Sequence, residues 1–389
     1  MPWKVINPMD AKTEFVLRAM RQDSDFGQLC REFGISRKTG YKWKERFLRD
    51  GLSGLVERSR RPAQSPNQLD EDQVCRIVRL KQAHPHWGPR KLRELFARRS
   101  CGELVPSEST FKRVLDKAGL VEHRCQRRSQ DTGARLTRPV VAQRPNHIWT
   151  VDFKGWWYTL DRHRFEPLTI RDDYSRYVLS ARALASARSD VVREEFHRVF
   201  AHYGLPEIIR SDNGAPFASV RSPLGLTRLS AWWLTLGIDL DRIRPRKPQE
   251  NGGHERMHRD IACELESAAE VDLVKQQASL DVWVRTFNNE RPHESLGMKF
   301  PCELYVTSSR LFDPSTVQLV YPSHYQVRKI KASGYLNLHN IVISVSQALA
   351  GLEVGLESIG DNRYTVWFCR LPLGELDVTT ASFRRAPGA

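Results

Sequence analysis

The sequence predicts a multidomain α+β chain: helix-turn-helix modules at the amino end, an α/β layered core in the middle and a small β-barrel at the carboxyl end. Three observations predict it. The first third is basic, with apolar residues at helical spacing. From about residue 145, strand-like alternation sets in, and strands then alternate with amphipathic helices. From about residue 318 there are only short β-runs separated by Gly, Asp and Asn, as in a small antiparallel barrel. The length of 389 residues suits two to four domains. The net charge is +15, and residues 1–140 hold 30 Lys and Arg against 17 Asp and Glu, an excess of 13. Such asymmetry points to nucleic-acid binding at the amino end. Charge alone fits a solvated basic face equally well.

Residues 1–55 form the first module. In "DFGQLCREFGISRKTGYKWKERFLRDG", Phe26, Leu29 and Phe33 recur at helical spacing, Gly34 supplies a turn, and a second helix begins near Ser36. That helix carries Arg37, Lys38, Lys42, Lys44 and Arg46, with Tyr41, Trp43 and Phe47 expected to pack inward. Cations on the helix that would enter a major groove make Arg37, Lys38, Lys42 and Lys44 candidate DNA contacts. Residues 56–68 are polar and contain Pro, as a linker does. Residues 69–121 hold three more helical stretches, the third with Ser107 or Ser109 as N-cap. This third helix is a second candidate recognition helix, and Ser109, Thr110, Lys112 and Arg113 are its candidate contacts. Residues 122–143 form a basic connector able to follow a phosphate backbone.

Residues 144–308 read as the core. "HIWTVDFKGWWYTL" alternates, with Trp149, Val151 and Phe153 on one face and Thr150, Asp152 and Lys154 on the other. Two strands flank the Asp172-Asp173 turn, and an amphipathic helix over 189–204 is capped by Ser189 or Asp190 and stopped by Gly204. Strand, helix, strand and two helices follow, which predicts a mixed central sheet. Residues 318–385 are the expected barrel, a further DNA-binding domain that would hold DNA through backbone contacts. Seven scattered cysteines without a C-x-x-C pair argue against a disulfide framework and a Cys-rich zinc site. No apolar run reaches transmembrane length and the start lacks a signal-peptide core, so a reducing cytosol is expected.

Three acids stand out in the core. Asp152 lies mid-strand on the polar face, Asp212 follows the apolar run "EIIR", and Glu255 lies on a helix after "KPQENGG", whose glycines allow close approach to a sheet. Open sheets place their sites at the carboxyl ends of strands. Three converging carboxylates repel one another unless cations join them. A pair of Mg²⁺ ions about 3.5–4 Å apart serves phosphodiester displacement and needs few protein oxygens.

Taken in order, "TVDFKGWW", "RDDYSRYVL", "RSDNGAPF", "RPRKPQENGGHERMHR" and "FNNERPHESLGMKFPCELY" resemble the integrase-core transposases of bacterial insertion sequences, relatives of retroviral integrases. The resemblance covers nearly the whole chain. It implies a ribonuclease-H-like core whose Asp-Asp-Glu roles fall on Asp152, Asp212 and Glu255, both catalytic and metal-holding. Glu250 competes for the third role, and Glu255 is preferred because the family's Glu follows Asn-Gly on the helix. The resemblance further implies two Mg²⁺ ions, with Mn²⁺ able to substitute, and partners in double-stranded DNA: the terminal inverted repeats and the target. A homo-oligomer on DNA ends, a bacterial cytosolic location and no membrane partner complete the expectation. The spacing of 42 residues between Asp212 and Glu255 exceeds the common one, and "SVRSPLGLTRLS" is expected to loop out the surplus. Relatives often carry Lys two turns after the Glu. Here Ala262 stands there, and Arg259, on the same face as Glu255, is the candidate DNA contact. Asp172, Asp173 and Asn213 read as turn formers, His254 and His258 as packed or solvated, and Arg291-Pro292-His293 as a brace ending the helix. The expected activity is a DNA transposase. The alternatives are a DNA-binding regulator with an inactive core and a nuclease without strand transfer.

Overall fold

A computed structural model describes residues 7–57, 69–100, 102–121, 140–220, 222–244, 251–314 and 319–386. They fall into two compact units, Met1–Asp70 and Glu71–Ala389.

The first unit is three helices, α1 (Pro8–Ala19), α2 (Phe26–Glu32) and α3 (Arg37–Asp50). Each start is capped by a side chain: Asn7 accepts from the Met9 N–H, Asp25 from Gly27 and Gln28, and Ser36 from Thr39. Gly34, at φ +62°, turns the chain between α2 and α3. Phe15, Val16, Leu29, Trp43 and Leu55 form the core. Tyr41, expected inside, is 59% exposed and stacks on Phe26 at 4.3 Å.

The second unit opens with α4 (Glu71–Ala83), α5 (Pro89–Arg99) and α6 (Glu108–Lys117). Ser107, rather than Ser109, caps α6 by accepting from the Thr110 N–H. Ile77, Leu92, Phe96, Phe111 and Leu115 are fully or almost fully buried. The basic end of α5 docks on the rest of the unit. Arg98 pairs with Glu303 at 2.6 Å and lies 3.9 Å over the Phe300 ring, and Arg99 pairs with Glu290 at 2.9 Å.

The central sheet contains β1 (Ile148–Phe153), β2 (Trp157–Tyr158), β3 (Arg164–Asp172), β4 (Val178–Leu184), β5 (Ile208–Ser211) and β6 (Asp239–Arg242). The lateral order is β4-β3-β1-β5-β6, with β2 pairing the start of β3. Pairings β4-β3 and β3-β1 are antiparallel; β1-β5 and β5-β6 are parallel, so the sheet is mixed. Helices α7 (Ser189–Tyr203) and α8 (Arg228–Thr235) cover one face, where Val192, Phe196, Phe200 and Trp233 meet Trp149, Val151, Ile170 and Ile209. On the other face, α9 (Gly252–Glu264) and α10 (Leu273–Asn289) bring Met257, Ile261, Leu280 and Trp283 against Phe165, Val178 and Ala181. The N-cap of α7 is Arg188, with no capping side chain; Asp190 instead pairs with Arg188 at 2.7 Å.

The expected carboxyl-terminal barrel does not form. Strands β7 (Gln326–Lys329), β10 (Glu353–Gly360), β11 (Arg363–Phe368), β12 (Leu371–Asp377) and β13 (Ser382–Arg385) make an open antiparallel sheet, β13-β12-β11-β10-β7. Strands β8 (Tyr335–Leu338) and β9 (Ile341–Ser344) form a separate hairpin. Among the described residues no sheet closes on itself, because its edges β7 and β13 do not pair. A closed barrel fills its interior with its own side chains. Here Leu226, Ala231 and Leu234 of the core join Leu336, Ile343, Val354, Leu356 and Phe368 in one cluster, so the apolar face is covered from outside. The segment expected to be a surplus loop supplies this contact. Leu226 enters the cluster, Ser222 bonds Ser346 at 2.7 Å, and α8 begins at Arg228.

Candidate active site

Parallel pairing sets the site. Strands β1 and β5 pair in parallel up to Thr150 and Arg210, and Asp152 and Asp212 each lie two residues beyond that last pair. Neighbouring parallel strands lie about 4.8 Å apart, and level residues face the same side. Asp152 and Asp212 are both half-buried. Gly214 permits the turn after β5, since a Cβ there would lie 2.9 Å from the Asp212 carboxylate. Asn213 ties the same turn down by donating to the Ile243 carbonyl at 2.6 Å.

Burial first, then the charge of Asp212 and, more weakly, that of Glu255, push Asp152 up to about 7 against a lowering by the Phe153 N–H. Asn251, just before α9, donates its Nδ2 to Asp152 Oδ2 at 3.1 Å. Asp212 Oδ1 is buried and has no hydrogen-bond partner among the described residues. An acid pair held with one orphaned oxygen suits a divalent cation, which would satisfy that oxygen and relieve the repulsion. Glu255 is exposed in the first turn of α9. Its charge reaches Asp152, but among the described residues no three His, Cys, Asp or Glu side chains are grouped to hold a metal ion. Asp152 thus feels the charges of both Asp212 and Glu255, the latter more weakly and from an exposed side chain. Glu250 lies outside the described residues.

A hydroxyl hub fixes α9 to the sheet. Thr169, opposite Asp152 on β3, has Oγ1 at 3.0 Å from the Asp152 carbonyl, 2.8 Å from His254 Nε2 and 2.7 Å from His258 Nε2. One hydroxyl donates once. All three contacts are satisfied when Thr169 donates to the carbonyl and both histidines donate from Nε2. His254 Nδ1 lies 2.9 Å from Thr150 Oγ1, which also lies 3.3 Å from the Arg171 carbonyl, and His258 Nδ1 lies 4.0 Å from Asp152 Oδ2. Burial, with smaller contributions from nearby cations, drives both imidazoles well down, His258 to about 3, so both are neutral. Gly253 completes the approach of helix to sheet, because a Cβ there would meet the Arg171 guanidinium at 2.6 Å. The sequence reading missed Thr169 and Asn251. The hairpin register that puts Thr169 opposite Asp152 would have found the first, and "QENGG" contained the second.

Other residues named from the sequence fall as follows. Asp172 is more than a turn former: it is fully buried and accepts from the N–H groups of Asn146 (2.8 Å) and Ser175 (2.7 Å). Asp173 gathers Arg171 and Arg176 at 3.1 and 2.6 Å. Arg291 braces α9 through Asp260 at 2.5 Å. Arg37, Lys38 and Lys42 are exposed on α3, while Lys44 is half-buried, 5.7 Å over Phe26. On α6, Ser109, Lys112 and Arg113 are exposed and Thr110 is half-buried against Ser107. Arg259 is exposed on α9.

Comparison with known proteins agrees with this layout. A helix-turn-helix domain family matches residues 11–63 and a homeodomain-like domain family residues 39–115. Two integrase core domain families match residues 142–248 and 236–301. The insertion element IS407 uncharacterized 31.7 kDa protein of Burkholderia multivorans (strain ATCC 17616 / 249) is 25% identical over 241 residues, 61% of this chain and 82% of that protein. The insertion element IS476 uncharacterized 39.2 kDa protein of Xanthomonas euvesicatoria is 24% identical over 278 residues, 71% of this chain and 76% of that protein. The HTLV-2 integrase catalytic core domain, solved in complex with magnesium in a trimeric form, is 18% identical, covers 43% of this chain and all of its own (100%), and gives a TM-score of 0.33. Among the described residues no helix is long and apolar enough to cross a membrane. The two integrase core matches overlap at residues 236–248 and together span residues 142–301, across the acid-bearing sheet and α9, so this part of the chain is an integrase core domain.

Proposed function

We propose that this protein is a DNA transposase: it binds the terminal inverted repeats of its own element, cuts a strand with metal-activated water, and joins the freed 3′-OH to target DNA. The observation that carries this reading is the pair Asp152 and Asp212 on adjacent parallel strand ends, with Asp212 Oδ1 buried and partnerless. Superfamily membership implies polynucleotidyl-transferase chemistry on DNA. Asp152, Asp212 and Glu255 would hold Mg²⁺, and such ions activate water and neutralise charge on a phosphodiester. The chain's own residues do the rest. Asp152 would be held as the carboxylate beside such a cation, and Asn251 keeps its Oδ2 in place. The Thr169 hub holds α9 against the sheet, so Glu255 has only its own turn to move. Arg259 on the same helix, α3 with Arg37, Lys38, Lys42 and Lys44, and α6 with Ser109, Thr110, Lys112 and Arg113 contact DNA. Two DNA ends must meet, so the working form is a multimer on DNA.

The test is strand transfer of end-containing DNA in Mg²⁺ with Asp152→Ala, Asp212→Ala and Glu255→Ala. Each should fall to background while DNA binding persists; full activity in any one removes that residue from the mechanism. The second reading is a DNA-binding regulator with an inactive core. That reading requires wild-type protein to bind the ends and cut nothing in Mg²⁺ or Mn²⁺.

A further inference from the structure

Past Asp152 the chain leaves β1, passes Gly155 into β2 and turns at Arg162 into β3. Along this hairpin exposure alternates strictly. Trp157 and Thr159 are buried, while Trp156, Tyr158 and Leu160 are 51%, 50% and 68% exposed. Outward positions of a strand ordinarily carry polar residues. Single exposed apolar side chains are common, but neighbouring ones on one face mark a contact surface. The two rings are also held in place. Tyr158 pairs with Arg164 across β2 and β3, the Arg164 guanidinium lies 4.6 Å over the Trp156 ring, and Tyr158 meets that ring edge-on at 5.5 Å. Half of the Trp156 surface stays open despite both contacts.

Charge selects the occupant. Arg162 and Arg164 are exposed, and among the described residues no ion pair joins either to a carboxylate. Asp161, the one acid between Lys154 and Phe165, is engaged by the Thr159 hydroxyl and by His163 at 2.8 Å. The hairpin tip is therefore cationic, on a chain whose net charge is +15. It repels a second copy of this chain and attracts a polyanion. Aromatic rings interleaved with uncompensated cations form a platform for stacking nucleobases. A base inside a duplex has no face free for such stacking, so the ligand is an unpaired base. Trp156 follows Asp152 by four residues, which puts their Cα atoms at most about 14 Å apart. We propose that Trp156 and Tyr158, with Arg164, bind an unpaired base of a DNA strand beside the acids. The choice of DNA as the nucleic acid rests on the function proposed above; the platform itself needs no metal.

The test uses the full chain in EDTA with two labelled ligands, a short oligo-dT strand and a random-sequence duplex of equal length, followed by fluorescence anisotropy. Trp156→Ala/Tyr158→Ala should weaken binding of the single strand roughly 10–100-fold, the loss of one stacked base, and leave the duplex unchanged. Trp156→Phe/Tyr158→Phe keeps both rings and should retain most of the affinity. Both side chains are exposed, so the melting temperature should not move. If the alanine variant melts early, Trp156→Thr/Tyr158→Thr, which suits a strand, carries the same test. Unchanged single-strand affinity in a folded variant overturns the proposal. So does an equal loss on the duplex, which assigns these residues to backbone contact. So does unchanged affinity together with a dissociated oligomer in sedimentation, which makes this face an interface between copies. Single-strand affinity lost on substitution, in a protein that never cuts DNA in Mg²⁺, supports the platform and sinks the transposase reading. Strand transfer by a protein whose single-strand affinity ignores the substitutions does the reverse.

Discussion

Asp152 is a half-buried acid held near neutrality by its surroundings, and this has a cost in stability. The unfolded chain releases the proton at an ordinary carboxylate pKa, whereas the folded chain keeps it to about 7. The folded state therefore binds more protons between those values, and stability falls as pH rises from about 4 to about 7, then levels off. Without metal, Asp152→Asn should flatten that dependence in urea melts and gain up to roughly 4 kcal/mol at pH 7 and above. A slope unaltered by the substitution would show that Asp152 titrates normally. The Thr169 hydroxyl makes a separate prediction. Thr169→Val leaves two imidazole N–H donors and one carbonyl without their partner. Strand transfer should fall roughly 10–100-fold, as for residues that orient metal ligands, while DNA affinity holds. Retained activity would mean that α9 is positioned by other contacts.

At the scale of elements, α9 is held from two sides, by Thr169 beneath its first turns and Arg291 behind. Arg291 is 5% exposed and bonds Asp260 at 2.5 Å, with Glu264 at 3.9 Å. Arg291→Ala would remove the partner that Asp260 and Glu264 share, leaving them only the more distant Lys91, which burial lowers to about 8. The expected loss is about 3–5 kcal/mol, read by denaturant melts, as for removal of one partner of a buried pair. A loss under about 1 kcal/mol would mean the pair is effectively solvated. Much at this scale was legible in the sequence. Gly34, Ser36 and Gly204 mark element ends through backbone freedom and capping, which are local properties. The stretch that became β1 showed alternation, and β3 and β4 were marked by the turn between them. The barrel was misread because β-runs report strand existence and not closure; closure depends on whether the edges meet, and here Leu226 and Leu234, more than a hundred residues away in sequence, cover the apolar face instead. The convergence of Asp152 and Asp212 was readable only through their strands, and the exposure of Glu255 was not, since the tilt of a helix over a sheet is set by tertiary contacts such as Thr169 with His258.

For the whole molecule, the second helical module is held to the core by charge. Arg98 and Arg99 of α5 grip Glu303 and Glu290, and Arg98 also donates to the Met298 carbonyl at 3.2 Å. On the proposed function, DNA held by α6 would thereby be fixed relative to the acids. Arg98→Ala/Arg99→Ala should lower strand transfer with little change in end binding. It should also increase hydrogen exchange across α5; equal loss of binding would instead assign these arginines to DNA contact. The central claim is that Asp152, Asp212 and Glu255 form one cation cradle when DNA is present. Anomalous diffraction from crystals of the chain bound to end DNA and soaked in Mn²⁺ tests it most directly. The account predicts manganese within bonding reach of both Asp152 and Asp212, with Glu255 joining them. Manganese absent from Asp212 Oδ1 in a DNA-bound, Mn²⁺-saturated crystal would contradict it.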